Sequence, residues 1–465
     1  MSHPSLDAVL ANIDANLGGS LERLKELVRI KSISTDPAYA AECQRAAEWL
    51  AADLAAEGFD ASARPTPGHP MVVAHDQSGS GPHVVFYGHY DVQPVDPLDL
   101  WHSDPFEVEL KQQPDGETHI VGRGTSDDKG QLLTFIEACR AWRAVTGGLP
   151  VKVSVFLEGE EETGGKNLAP FMQANAPELT GDIALICDTD LWDARTPNIT
   201  SMLRGLVGEE IEITCASHDL HSGMYGNAAR NPIQVLAEIV ASLRNPDGSV
   251  AVAGFYDGVD ELPPDIAAQW KRLPYDEKAF LGGAGLSAAA GEQGRSVLEQ
   301  TRSRPTCEIN GISGGYTGEG FKTVIPAKAS AKISFRLVGR QDPKAVRAAF
   351  RQHVTDRLPP DAKVTFKEHG GSPAVAVPTD GAFLRLAATA LADEWGTETA
   401  ITGSGGSIPV AGDFKRILGM DALLIGFAGV DDRIHSPNEK YNLSAYHKGI
   451  RSWARILAAF AEART

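Results

Sequence analysis

Cysteine is scarce in this chain, with five residues (Cys43, Cys139, Cys187, Cys215 and Cys307) among 465, widely spaced and without a CxxC pair. Such an odd, dispersed set does not frame a disulfide scaffold or a thiolate metal site; it fits reduced core residues in a reducing compartment. Long apolar runs are missing too. No window reaches the roughly 18 apolar residues of a membrane span, and the N-terminal MSHPSLDAVLANIDANLGG carries acids where a signal peptide has a basic start. Basic charge is in deficit: 43 Lys and Arg against 61 Asp and Glu leave a formal net charge of −18. That balance would repel nucleic acid and anionic membrane. The expectation is a cytoplasmic protein with neither as a partner.

At this length one core is not enough, and two or three domains are expected. Amphipathic periodicity predicts helices over 6–30 and 38–57. The short apolar runs MVVAH, HVVFYGH, VKVSVFLEG and DIALICD follow, with the helical KGQLLTFIEACRAWRAV between the second and third. Alternating strands and helices imply an α/β domain on a mostly parallel sheet. From residue 204 the pattern changes to strands that alternate in polarity, RGLVGEEIEITCAS and KASAKISFRLV, around the helix-like NPIQVLAEIVASLRN. A helix at 382–395 and the strand ALLIGF then resume the first pattern. This reads as a discontinuous α/β domain (1–203 and 375–465) carrying an inserted α+β domain (204–374). The Pro/Asp/Gly-rich stretch 244–300 carries no interpretable motif.

Five segments rich in acid or bearing histidine punctuate the chain after apolar runs: GHYD at 88–91, SDDKG at 126–130, EEETG at 160–164, CDTD at 187–190 and RIHSPNEK at 433–440. Each has an ordinary reading. His89 could be a hydrogen-bonded strand-end histidine. Ser126 and Asp127 could cap the helix that follows them. The glutamates after VSVFL could form a solvated loop, although clustered carboxylates repel without a cation. Taken together they supply imidazole and hard oxygen donors, a set suited to two neighbouring divalent ions. Asp127 could bridge the ions, with Lys129 and the helix dipole tempering the local charge. Asp91 could hold His89 in its ligating tautomer. Of two adjacent glutamates, one could ligate while its neighbour takes a proton from water.

These segments, in this order and spacing, resemble the dizinc metallopeptidases that include cytosolic nonspecific dipeptidase and carnosine dipeptidase, with aminoacylase and glutamate carboxypeptidase as more distant relatives. DLHSGMYGN (219–227), NGISGGYTGEGFKTVIPAKASAKISFRLV (310–338) and GGSIPV (405–410) carry the likeness toward the dipeptidase branch. The resemblance implies a zinc-peptidase catalytic domain with an inserted lid and dimerisation domain. It implies two divalent ions per subunit, zinc first with manganese or cobalt as alternatives, held by His89, Asp188, Glu162 and His435 and bridged by Asp127. Glu161 would activate a water lying between the metals, and Asp91 would orient His89. The Asp127–Asp128 peptide matches one that is often cis in the family. In a homodimer His221 would act in trans on the oxyanion. Arg336, Thr323, Gly406 and Ser407 would bind the substrate and its C-terminal carboxylate. The implied reaction is hydrolysis of a dipeptide or short peptide; the alternatives are an N-acyl- or N-carbamoyl-amino-acid amidohydrolase and a non-catalytic binding protein on the same scaffold. Ser404 stands where these dipeptidases often carry a glutamate, which bears on recognition of a free α-amino group.

Overall fold

A computed structural model, describing residues 3–406 and 408–463, places the four apolar runs of the N-terminal half in one sheet. Its strands lie in the order Asp60–Arg64, Met71–Asp76, Lys152–Glu158, His83–His89, Ile183–Ile186, Ala422–Ile425 and Asn198–Leu203. The middle four are parallel and their flanking neighbours antiparallel. The central strands are covered on both faces, which is why they read as continuous apolar runs. On one face the helix Lys129–Thr146 packs against Leu6–Arg29 and Leu443–Ala461. Phe86 stacks on Phe135 there at 4.0 Å between centroids, with Trp453 edge-on to both. On the other face Phe156 stacks with Phe171 and Tyr87 meets Phe414 edge-on. Each such fully buried side chain contributes about 1.5–3 kcal/mol of transfer free energy.

A small sheet (Glu109–Gln112, Thr118–Val121, Lys440–Asn442) joins distant parts of the sequence: Lys440 pairs with Val121, which sets Glu439 beside the turn that opens the helix Lys129–Thr146. The chain divides into two units, one comprising Met1–Ser201, Val377–Ile401 and Val410–Thr465, the other Met202–Ala376 and Thr402–Pro409. The segment 402–409, expected with the first domain, groups with the second.

The second unit is built on a four-stranded antiparallel sheet in the order Thr306–Gly314, Lys328–Leu337, Gly205–Thr214, Lys363–Ser372. Along Gly205–Thr214 burial alternates residue by residue, the period of a sheet with one packed face. Val207, Ile211, Ile213, Ile333 and Phe335 fill that face with Val235 and Ile239 of the helix Pro232–Ala241 and Phe350 of the helix Pro343–Asp356.

Candidate metal centre

Register brings three of the five segments to one rim of the first unit's sheet. His89 lies opposite Glu158, so EEETG begins just beyond it; Tyr87 lies opposite Ile186, so Asp188 follows at a similar level. Ligand sites in open α/β sheets form at this carboxyl rim. The buried His89 turns Nε2 to Oδ1 of Asp127 at 3.1 Å. The other Asp127 oxygen, Oδ2, is 2.9 Å from Nε2 of His435, which also lies 3.3 Å from Oε2 of Glu162. Two donor groups result, His89 with Asp127 and Asp188, and Asp127 with Glu162 and His435; within each, one donor atom per residue lies within 4.8 Å of the others. Asp127 belongs to both.

Asp91 ties the two groups together from behind. Nδ1 of His89 is 3.1 Å from the Asp91 carbonyl oxygen and 3.4 Å from its Oδ1. The Asp91 carboxylate also accepts the backbone N–H groups of Glu161 and Glu162 and the Ser34 hydroxyl. His435 is presented by a loop in which Arg433, His435 and Asn438 all take positive φ, His435 at 63°, a conformation uncommon for a residue with a Cβ. The Asp127–Asp128 peptide is cis.

The electrostatics are those of an acid cluster in want of a cation. Burial, reinforced by Asp127, Glu161 and Glu162, pushes the Asp188 carboxyl well above its usual range; His89 opposes this. Burial likewise raises Glu161, with Glu162, Asp91 and Asp127 adding to the effect. Hydrogen bonds donated by its ring to the Asp127 and Glu162 carboxylates lift His435 to about 10. Oε1 of Glu162 is buried without a hydrogen-bond partner among the described residues. Imidazole nitrogens, hard oxygens and one carboxylate common to both groups fit two adjacent divalent ions.

The model of peptidase family M20/M25/M40 matches residues 85–459. The chain belongs to this family. It is 31% identical over 481 residues to the Beta-Ala-His dipeptidase of Homo sapiens, covering 98% of this chain and 93% of that protein. It is 30% identical over 464 residues to the Cys-Gly metallodipeptidase dug1 of Schizosaccharomyces pombe, covering 96% of each. Among solved structures, the M20 family metallo-carboxypeptidase Sso-CP2 from Sulfolobus solfataricus superposes with a TM-score of 0.79 at 30% identity, over 95% of this chain and 99% of that one.

Other residues expected to serve this M20 peptidase lie on the second unit. His221 ends the two-residue strand Leu220–His221, exposed, with Nδ1 accepting from the Gly223 N–H at 3.0 Å. An accepting Nδ1 puts the neutral ring's proton on Nε2. Thr323 is its exposed neighbour: its carbonyl accepts from the Ser222 N–H, and Val324 pairs with His221. Arg336 is half-buried on the strand Lys328–Leu337. The carbonyl of Gly406 accepts from the Arg204 N–H. Ser407 lies outside the described residues. The Ser404 hydroxyl accepts from the Gly406 N–H at 3.2 Å, so it closes the glycine turn.

Sequence reasoning misplaced one residue of this M20 site and overlooked three. Lys129 acts on the acids only at a distance, through Asp91 and Glu439: its fully buried ammonium donates to the carbonyls of Leu27 and Ile30, at 3.1 and 2.6 Å, at the end of the helix Leu6–Arg29. Nor do Ser126 and Asp127 cap the next helix, whose N-cap is Asp128 without a side-chain bond. Gln93 donates to Glu162 Oε2 at 2.7 Å. Asp128 accepts the His89 N–H at 3.0 Å, and a Cβ on Gly88 would stand 2.8 Å from that same carboxylate. Glu439, fully buried, accepts the N–H groups of Gly124, Ser126 and Asp127 and the Arg123 guanidinium. Asp128 and Glu439 lie within the segments SDDKG and RIHSPNEK, whereas nothing in the sequence singles out Gln93.

Proposed function

We propose that this protein is a metal-dependent dipeptidase that hydrolyses dipeptides or short peptides with a free C-terminal carboxylate. The observation that carries the reading is the pair of donor groups sharing Asp127, with Glu161 beside them anchored through its backbone N–H to Asp91, its carboxylate without a hydrogen-bond or ion-pair partner among the described residues. His89, Asp188, Glu162 and His435 would hold the ions, with Asp127 common to both donor groups. Two divalent ions held there, zinc in the first instance, would supply the charge that polarises the scissile carbonyl and acidifies the nucleophilic water. An Oε atom of Glu161 accepts the proton of that water as the oxygen attacks, and returns it to the leaving amine nitrogen.

His221 then serves the tetrahedral oxyanion through Nε2–H, from the other subunit of a homodimer. Support for an association surface on the second unit comes from its exposed apolar side chains, Met224, Tyr225, Ile312, Tyr316 and Phe321, and from Thr306–Gly314 standing at the edge of its sheet. An unpaired edge and exposed aromatics are costly unless covered. Arg336 takes the C-terminal carboxylate with its planar fork of donors, assisted by Thr323, Gly406 and Ser407. The five free cysteines fit a cytoplasmic setting, and among the described residues no helix is long and apolar enough to cross a membrane.

The test is hydrolysis of a free dipeptide against its N-acetylated form, with and without added zinc, manganese or cobalt. Metal-dependent cleavage that prefers the free dipeptide is expected. Equal or faster cleavage of the acetylated form would establish the N-acyl-amino-acid amidohydrolase instead.

A further inference from the structure

The segment 244–300 forms part of the wall of a cavity of about 860 Å³ in the second unit, over the sheet face opposite the helices. Register decides which side chains enter it. Arg336 pairs with Leu206 on one side and Thr306 on the other, and cross-strand partners point to the same face. Arg204 immediately precedes the strand Gly205–Thr214, and it and Arg336 both line the cavity with Phe280 and Leu286.

The charges there do not balance. Its lining has two carboxylates, and both are engaged: Glu308 with Arg244 at 2.7 Å and Glu292 with Arg304 at 2.7 Å. Arg204 and Arg336 have no carboxylate partner among the described residues. Arg204 is held in place instead: Nε donates to the Gly405 carbonyl at 3.2 Å, and a Cβ at Gly405 would stand 2.9 Å from its Nη2. Its burial, with Arg336 and Arg302 nearby, draws its pKa down to about 10. A positioned, partly desolvated cation whose one nearby carboxylate, Glu308, is already paired with Arg244 is costly to keep, and an anionic ligand would offset that cost.

We propose that this cavity receives the side chain of the substrate's C-terminal residue and that Arg204 selects an acidic one, so that a C-terminal Asp or Glu presents one carboxylate to Arg336 and a second to Arg204. The inference rests on the peptidase reading above, and it gives 244–300 a role as the wall of a specificity pocket.

The experiment compares kcat/KM for Ala-Glu and its neutral isostere Ala-Gln with the metal-loaded enzyme. A preference for Ala-Glu of at least about 10-fold, expressed chiefly in KM, is expected from a charge-assisted pair at a partly desolvated site. Arg204→Gln should bring the ratio near one. So should Ser334→Glu, which leaves both arginines in place and supplies an internal carboxylate on the same face. A ratio near one in the wild type, or a preference kept by both variants, overturns the proposal. Calorimetric titration of glutarate into the same three proteins separates the two readings. If no peptide is cleaved but glutarate binds the wild type and neither variant, the peptidase reading fails and the dicarboxylate site stands. If peptides are cleaved and glutarate does not bind, the site is overturned and the peptidase reading survives.

Discussion

Replacing Glu439 by Gln should unsettle the metal centre without touching a ligand. Oε1 of Glu439 accepts from the Ser126 and Asp127 N–H groups at 2.9 and 3.0 Å, and Oε2 from Arg123 Nη1 and the Gly124 N–H at 2.7 and 3.0 Å. The amide is isosteric, so no cavity opens, but its NH2 cannot accept. Whichever way it turns, two of the four donors lose their acceptor. With the oxygen kept on Arg123, the losers are Ser126 and Asp127, at about 1.5–3 kcal/mol per hydrogen bond to a charged group. Burial, the largest influence on Glu439, raises its pKa, while Arg123 and the Gly124 and Ser126 N–H groups oppose the rise. The ion pair is therefore no large net stabiliser, yet removing one partner leaves Arg123 buried at 1% exposure without a counter-charge. The two lost hydrogen bonds alone amount to about 3–6 kcal/mol, or a fall in Tm on the order of 10 °C for a unit of this size. Circular dichroism melting of the metal-free protein reads the first effect. Competition with a chelator reads the second, a weaker metal affinity once the Asp127 backbone is released. A Tm within about 2 °C of wild type and an unchanged metal affinity would refute the reasoning.

Glu161→Gln should retain both ions by elemental analysis but lower kcat by roughly 10²–10⁴; near-normal turnover would remove Glu161 as the base. His221→Ala should also keep its metal, since His221 is in neither donor group, while losing about 10²–10³ in kcat; activity regained on mixing it with Glu161→Gln subunits would show sharing across a dimer, and none under demonstrated subunit exchange would count against it. Chelation should abolish activity and also lower stability, by about 2.7 kcal/mol per site relative to metal held at 100 times its Kd, which a lower Tm reads; an unchanged melt would mean the acids need no cation. Gly130→Ala should not yield folded protein, because the added Cβ would stand 1.9 Å from the Thr125 carbonyl oxygen; a soluble variant with native melting would contradict the packing.

The donors were legible because the rule that exposes them is local. A residue just past a buried parallel strand is carried to the carboxyl rim wherever that strand sits in the sheet, so His89, Asp91, Glu161, Glu162 and Asp188 could be read from apolar runs alone. Their supports were not, because each works across a sequence gap that only the fold closes. Glu439 reaches Ser126 through the pairing of Lys440 with Val121. Ser34 reaches Asp91 from the far side of the first strands. Lys129 shows how the local rule can mislead: a cation beside an acid in sequence invites an electrostatic pairing, yet fully buried it finds two helix-end carbonyls instead. An ammonium out of water needs acceptors more than it needs a neighbouring charge.

Substrate recognition was hidden for the same reason, more severely. Arg336 alone reads as a solvent-facing residue of an alternating strand, and Arg204 as the residue that starts the next domain. Their meaning lies in the cavity that the fold lines with both, and in the pairing of Glu292 and Glu308 with other arginines. Neither is a property of a motif. Catalytic chemistry needs particular residue types at strand ends, so it leaves a mark in the sequence. Specificity on the second unit depends on which charges remain unpaired after folding, and any of several arginines could have been the one left over.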